Sequence, residues 1–317
     1  MKKILYIREN LPGGTDNYCK ALCNLLKNDE ELLPISVYDI PASHSKLFHY
    51  LYKSAALKKA IMEADIIHIN GYTAGGTIQA FLTANKYGKK IIYTAHWHPF
   101  ECLRHPLLGK VFFYCFMRPL ITKYAHTVTT INNEDTAFFK RIHNNVIQIP
   151  HWFTPTEKKQ QTIKKKDMIL FIGRTDDPVK GIEHLYQIPQ GLYDIHCVGK
   201  GQIERPDFHQ HIGISDDELA KLYTEASLVV IPSKYEAFSY VALEAMSYGT
   251  PILMSERVRI ADYLNGIEGY QIFKYGDYND FLNKIKYTIG TAVDTAKIKP
   301  MFAIEKIRNA YRSIYLS

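Results

Sequence analysis

Residues 227–254, SLVVIPSKYEAFSYVALEAMSYGTPILM, decide the fold class. The run 228–231 is apolar at every position, which suits a strand covered on both faces rather than one with a wet side. Pro232 ends it, because proline has no N–H to give to a sheet ladder. A polar loop carrying Glu236 follows, a helix begins near Ser239, and Gly249-Thr250-Pro251 turns the chain into a second apolar run, 251–254. Strand, helix, strand at this spacing is the unit of a parallel sheet. Glu244 lies eight residues after Glu236, among Val241, Leu243, Ala245 and Met246 on the apolar side of that helix. A glutamate is costly to bury without a partner. Two acids at the mouth and first turns of one helix can accept hydrogen bonds from sugar hydroxyls. The amides of Phe238, Ser239 and Tyr240 at the helix start are placed to receive phosphate oxygens. A capping acid and a solvated helix glutamate account for the same spacing equally well.

The same alternation extends in both directions. Before residue 150, strand-like runs at 2–8, 32–40, 65–69, 90–95, 126–131 and 145–150 are separated by helical patterns at 14–28, 46–63, 75–86 and 105–124. The segment TPTEKKQQTIKKK (154–166) has no apolar period and reads as a linker. The alternation then restarts with 168–173, 193–199, 227–232, 251–254 and 270–273. Ser215 followed by Glu218 predicts a capping box at the start of SDDELAKLYTEA. The tail, 299–317, reads as an amphipathic helix. The expected organisation is a domain over 1–153, a linker over 154–166, a second domain over 167–298 and a C-terminal helix able to cross back to the first. Two open α/β domains in tandem leave a cleft at the carboxyl ends of their strands, where such sheets bind ligands.

Composition narrows the classes further. With 317 residues, 46% hydrophobic and 22% charged, the chain has no run near the roughly 18–20 apolar residues that span a bilayer. MKKILYIREN enters a strand directly, so no signal peptide is expected. A secreted precursor, an integral membrane protein and a disordered chain are all disfavoured. The net charge of +7 is uneven. Residues 1–150 hold 18 Lys and Arg against 11 Asp and Glu, 151–166 hold five against one, and 167–317 hold 16 against 20. A basic first half points to an acidic partner: nucleic acid, an anionic membrane surface or a phosphorylated substrate. Five cysteines without a CxxC pair read as free thiols of a reducing cytosol.

Smaller elements carry further chemistry. In FIGRTDDPVKG (171–181) a strand ends at Gly173, and Arg174 and Lys180 flank a polar loop before a helix. A diphosphate needs such a pair, a fork from Arg and a point charge from Lys; two solvated loop cations are the plainer reading. Gly13 and Gly14 lie between the first strand and the first helix, where bare backbone can approach phosphate. Gly199-Lys200-Gly201 lacks the third glycine of a dinucleotide fingerprint. TAHWHPFECLRH (94–105) brings His96, His98, Glu101, Cys102 and His105 close in sequence, but the spacing fits no standard zinc pattern. Residues 105–126 mix Phe, Tyr and Leu with Lys110, Arg118 and Lys123. A core helix with snorkelling cations and a lipid-facing surface both fit. Residues 46–63, with Lys46, Lys53, Lys58 and Lys59, invite the same pair of readings.

Residues 233–253 resemble the Glu-x7-Glu motif of retaining GT-B glycosyltransferases of family 4, and 171–181 resemble that family's GR…KG element with one extra residue. The resemblance implies two Rossmann-like domains with parallel sheets facing across a cleft, and transfer of a sugar from a nucleoside diphosphate to an acceptor hydroxyl with retention. It implies that Glu236 contacts the donor sugar, Glu244 the ribose hydroxyls, and Arg174 and Lys180 the leaving diphosphate. Gly13, Gly14, Gly173, Gly199 and the amides of Phe238, Ser239 and Tyr240 would complete the donor site, with Ile212 and Gly213 near the base. His96 matches a histidine of the acceptor side, with Trp97 in place of the usual Asp. Ala237 and Ser239 replace two glycines of the common pattern.

The expected partners are a nucleotide-sugar donor, a saccharide or lipid-linked acceptor and an anionic membrane surface, with no nucleic acid, no cofactor and no metal. The expected setting is the cytoplasm or the inner face of the cell membrane, in polysaccharide or glycolipid synthesis. Two other readings stay open: a GT-B-fold nucleotide-sugar epimerase, and a non-catalytic nucleotide- or nucleic-acid-binding protein.

Overall fold

In the computed structural model the described residues are 1–9, 14–41, 53–71, 74–96, 106–152 and 164–317. They divide into two units, Met1–His151 with Ile304–Ser317, and Trp152–Ala303. Each unit is built on a six-stranded parallel sheet with helices, the two-domain α/β architecture of GT-B proteins. Among the described residues no helix is long and apolar enough to cross a membrane.

The first sheet comprises β1 (Lys2–Glu9), β2 (Leu32–Ile40), β3 (Ile66–Asn70), β4 (Lys90–Thr94), β5 (Thr127–Thr130) and β6 (Val146–Gln148), in the order β2-β1-β3-β4-β5-β6. Residues of β3 and β5 are buried along their whole length, as strands covered on both faces are, and in β3 this burial includes His68 and Asn70. Leu5, Ile7, Ile67, Ile69, Ile91 and Tyr93 pack with Phe81, Phe113 and Ile121 from the helices, each fully buried large side chain contributing about 1.5–3 kcal/mol. The helix Ile304–Leu316 completes this unit through Ile307, Tyr311, Ile314 and Tyr315. Lys90 Nζ donates to the carbonyls of Ile314 at 2.6 Å and Ser317 at 2.9 Å, placing a cation at the negative end of the helix dipole. Arg308 donates to the Leu25 carbonyl, and Arg312 pairs with Asp29 and Glu31.

The second sheet comprises β7 (Met168–Ile172), β8 (Asp194–Val198), β9 (His209–His211), β10 (Leu228–Ile231), β11 (Ile252–Ser255) and β12 (Tyr270–Phe273), in the order β12-β11-β10-β7-β8-β9. From β7 the chain moves outward through β8 and β9, then jumps back to β10 on the other side. The strand order therefore reverses between β7 and β10, and the crevice outside the carboxyl ends at such a point is where open α/β sheets bind ligands.

Several local expectations change. Residues 209–211 form an edge strand, although three polar residues in a row carry no strand signal. The helix expected over 46–63 begins at Ala55, because the Ser54 side chain accepts from Leu57 N and caps it; residues 46–52 lie outside the described residues. The helix expected over 105–124 starts at Pro106 and is interrupted by a π turn at Phe113–Met117. The tail forms two helices, Thr295–Met301 and Ile304–Leu316, rather than one. Lys164 and Lys165 are packed on the second unit, with Lys164 Nζ donating to Thr250 Oγ1 at 2.7 Å, while 153–163 lie outside the described residues. The capping box at Ser215 and Glu218 forms, Glu218 Oε2 accepting from Ser215 N at 2.8 Å.

Candidate functional site

The crevice of the second unit is shaped first by glycines. Gly181 closes the loop after β7 at φ +70, and a Cβ there would lie 1.9 Å from the Pro232 carbonyl oxygen at the end of β10. Gly199, at φ +148 after β8, would set a Cβ 2.1 Å from the Gly173 oxygen. Only glycine lets these three strand ends approach so closely.

Lys180 and Glu236 meet on that frame, Lys180 Nζ standing 2.6 Å from Glu236 Oε1. Ser233 Oγ donates to the same oxygen at 3.0 Å. The Glu236 backbone is fixed to 257–259, its N–H donating to the Arg257 carbonyl and its carbonyl accepting from Arg259 N. Burial works against the Lys180 charge, yet the Glu236 carboxylate outweighs it and the lysine pKa is raised; the ammonium is held charged. Arg174 lies in the same loop, its side chain 66% exposed, with Nη2 2.5 Å from Asp177 Oδ2. A guanidinium has five N–H donors, so pairing with one carboxylate leaves it able to bind an anion as well.

The helix Tyr240–Ser247 opens on the adjoining loop, with the Ser239 hydroxyl accepting from Ala242 N at 3.3 Å. Ser239 has φ +151, the one positive φ on a non-glycine residue among those described. The replacement of a family glycine here thus has a direct backbone consequence, since that region is strained for any side chain. Relief of about 1–3 kcal/mol of strain exceeds the few tenths lost when glycine replaces serine as a cap. It also exceeds the roughly 0.5–1 kcal/mol of added unfolded-chain entropy. Ser239→Gly is expected to stabilise the second unit by about 1 kcal/mol, read as a melting point higher by about 2–4 °C. A lower melting point would contradict the strain. The Phe238 ring packs edge-on to Tyr263 and Phe302, so its side chain serves the core.

Glu244, four residues along that helix, accepts from Tyr223 Oη at 2.6 Å. The Tyr223 ring stacks on Tyr248 at 5.5 Å. Burial raises the Glu244 pKa, partly offset by the Tyr223 hydrogen bond. Tyr223 is itself raised by burial, then by Glu244, with a smaller push from Glu236, so the two acids act on one phenol. On the other flank, Gly199 N donates to the His211 carbonyl at 3.0 Å. This sets Gly199 beside the turn of Ile212 and Gly213, and Ile212 is exposed.

The first unit places His96 after β4, buried. Its Nε2 lies 3.1 Å from Asn70 Oδ1 at the end of β3, and its ring packs edge-on to Tyr18 and parallel to His151. Burial pushes its pKa down to about 3, so the ring is neutral and acts as a hydrogen-bonding group rather than a cation. Gly14 starts the helix Gly14–Leu25; Gly13, Trp97, His98, Glu101, Cys102 and His105 lie outside the described residues. Around His96 runs a polar core unread in the sequence. Tyr18 and Tyr311 share a hydrogen bond of 2.5 Å, and His68 joins Tyr315 Oη at 2.7 Å and Thr94 Oγ1 at 2.5 Å.

Sequence reasoning also missed Asp177, Tyr223 and Ser233. Tyrosine rather than phenylalanine at a buried helix position was the available signal for Tyr223, because a buried phenol needs a partner.

Residues 166–290, the greater part of the second unit, match the family described as Glycosyl transferases group 1. Over 309 residues the chain is 25% identical to an uncharacterized 41.2 kDa protein in the cps region of Klebsiella pneumoniae, covering 87% of this chain and 84% of that one. A segment of 107 residues is 35% identical to the MMP alpha-(1->4)-mannosyltransferase of Mycolicibacterium hassiacum, a match spanning 28% of this chain and 26% of that one. The crystal structure of Anabaena HepE in complex with UDP and glucose superposes with a TM-score of 0.72 at 16% identity, covering 99% of each chain. At that identity the likeness speaks for the fold.

Proposed function

We propose that this chain is a glycosyltransferase that moves a sugar from a nucleoside diphosphate to an acceptor hydroxyl with retention. The observation that carries the reading is the Lys180–Glu236 ion pair beside Arg174 at the β7–β10 switch point, inside the segment that matches Glycosyl transferases group 1. Lys180 and Arg174 stabilise the charge that gathers on the diphosphate as its bond to the sugar C1 breaks and the electron pair leaves with oxygen. The acceptor oxygen bonds to C1 from the face the diphosphate leaves, and its proton passes to a diphosphate oxygen, so no separate base is needed. Glu236 orients the sugar, Glu244 the ribose, and the backbone at 238–240 holds phosphate oxygens, while Gly173, whose N–H is taken by the Val198 carbonyl, gives the donor room to approach. Neutral His96 orients the acceptor.

A 75-residue match, 37% identical, to the lipopolysaccharide 1,2-N-acetylglucosaminetransferase of Salmonella typhimurium supports a product among polysaccharides or glycolipids. The interrupted helix at 106–124 supports an acceptor held at a membrane. One of its faces fills the core with Phe113, Met117 and Ile121, while Leu107, Val111, Tyr114 and Phe116 stay exposed beside Lys110 and Arg118. Such a face suits peripheral binding to an anionic inner leaflet.

The test is a thermal-shift panel of UDP-, GDP- and ADP-sugars, followed by a transfer assay with the sugar that stabilises the fold. The expected result is one preferred nucleotide and turnover only when a saccharide or lipid-linked acceptor is present. Conversion of the donor without acceptor would establish an epimerase instead, and no shift with any nucleotide would remove the reading. Flotation with vesicles containing anionic lipid is expected to be lost at high salt; flotation indifferent to both would remove the membrane surface.

A further inference from the structure

At the edge of the second sheet, β8 and β9 bring a histidine-rich cluster to one face. Asp194 and His196 alternate along β8, and His209 and His211 along β9, with His196 and His209 directly opposed in the parallel ladder. The side chains of Asp194, His196 and His209 each direct one ligand-type atom into a space in which these atoms all lie within 4.8 Å of one another. Asp194 bridges the two rings, Oδ2 standing 3.1 Å from His196 Nε2 and Oδ1 3.2 Å from His209 Nε2. The two contacts use different carboxylate oxygens, one for each ring, so Asp194 reaches both histidines at once.

His196 supplies the second observation. Its Nε2 is shielded from solvent and, among the described residues, has no polar neighbour at hydrogen-bond distance on this face other than the Asp194 carboxylate, at 3.1 Å. Its other nitrogen, Nδ1, is 2.9 Å from His211 Nε2, with the two rings stacked at 5.1 Å. When His196 donates from Nδ1 to His211, the lone pair is left on Nε2, the atom that lies with those of Asp194 and His209 inside 4.8 Å. A second ring contact that fixes the tautomer of a ligating histidine is a recurrent support of metal centres.

We propose that Asp194, His196 and His209 bind one divalent transition-metal ion of the zinc class, with His211 as the positioning residue for His196. Two imidazoles and a carboxylate select zinc, cobalt or nickel over magnesium and calcium, which prefer all-oxygen shells. The His209 side chain is 63% exposed and that of Asp194 42%, which leaves an entry path and room for water as a fourth ligand. The ion ties the three-residue edge strand β9 to β8. The site sits at the start of β8, whereas Gly199 follows its end, five residues and about 16 Å further along the strand. It therefore stands or falls independently of the sugar-transfer reading.

The experiment titrates the chelator-treated full chain with Co(II), followed by its visible d–d absorption, then displaces it with Zn(II) under calorimetry. One ion per chain is expected, giving the intense absorption of a tetrahedral site. His211→Gln should weaken binding about 10–100-fold, and His209→Ala and Asp194→Asn more than that. His209→Ala should leave the circular dichroism and melting point of the metal-free chain unchanged, since that side chain faces water; Asp194→Asn, nearly isosteric, decides the matter if it does not. Absence of the cobalt spectrum, or unchanged affinity in Asp194→Asn and His209→Ala, overturns the proposal.

Discussion

Replacing Lys180 with alanine is expected to lower kcat about 10²–10³-fold at saturating donor, the loss typical when one preorganised electrostatic partner of a developing anion is removed. The geometry makes the effect large. Lys180 Nζ is 2.6 Å from Glu236, half-buried, and held charged by that carboxylate against the pull of burial. Removing it takes away the cation and also leaves Glu236, among the described residues, with Ser233 alone for a side-chain partner, which destabilises the second unit by about 1–3 kcal/mol. The two consequences separate in the double variant Lys180→Met/Glu236→Gln. Stability should return toward wild type, because no unpaired charge remains, while turnover stays low. Lys180→Arg should recover only part of the rate, since a planar fork does not occupy the position of a compact ammonium. Initial rates with the preferred donor, beside urea unfolding curves, read both quantities. Turnover within about threefold of wild type in a folded Lys180→Ala variant would remove the lysine from the chemistry.

Acid is expected to unfold the first unit well before its carboxylates titrate. His68 and His96 are buried, and burial holds both rings neutral with pKa values pushed down to about 3, His96 adding a smaller push on His68. Above pH 6.5 the folded and unfolded chains both carry neutral rings, and this stability is fully present. As pH falls below 6.5 only the unfolded chain takes up protons, so each histidine costs about 1.36 kcal/mol per pH unit down to the folded pKa. At pH 5 the two together cost about 4 kcal/mol, a large part of the ordinary stability of a domain. His151, also pushed down by burial and by His96, adds in the same direction. The urea midpoint of the first unit should fall steeply between pH 7 and pH 5, with the ring-proton shifts of His68 and His96 unchanged for as long as the unit stays folded. Rings that titrate near 6.5 in the folded chain would contradict the burial.

The parts of this molecule legible in the sequence are those that depend on neighbours along the chain. Apolar runs located the parallel strands. Ser215 and Glu218, three apart, announced their capping box. Arg174 and Lys180 stood out through the resemblance of 171–181 to a GR…KG element, since on their own two loop cations read as solvated. What stayed hidden depends on residues distant in sequence or on competition. The Tyr18–Tyr311 hydrogen bond joins residues 293 apart, and no local period carries it. The strand His209–His211 sits at a sheet edge, where one side is wet and apolar alternation is not required. Asp177 was given no role from the sequence, and its claim on Arg174 emerges only from geometry. Ser239 stood out only as a replacement for glycine, while its φ of +151 shows a strained helix start.

The central claim is that the crevice at the end of β7 and β10 holds a nucleoside diphosphate sugar through Arg174 and Lys180 on the diphosphate and Glu244 on the ribose. It is tested most directly by calorimetric titration of the preferred nucleotide sugar into the wild type and into folded Arg174→Ala and Glu244→Ala variants. The account predicts one binding site per chain and affinity at least about tenfold weaker in each variant, since a hydrogen bond to a charged group contributes about 1.5–3 kcal/mol. Wild-type affinity in both variants would contradict it.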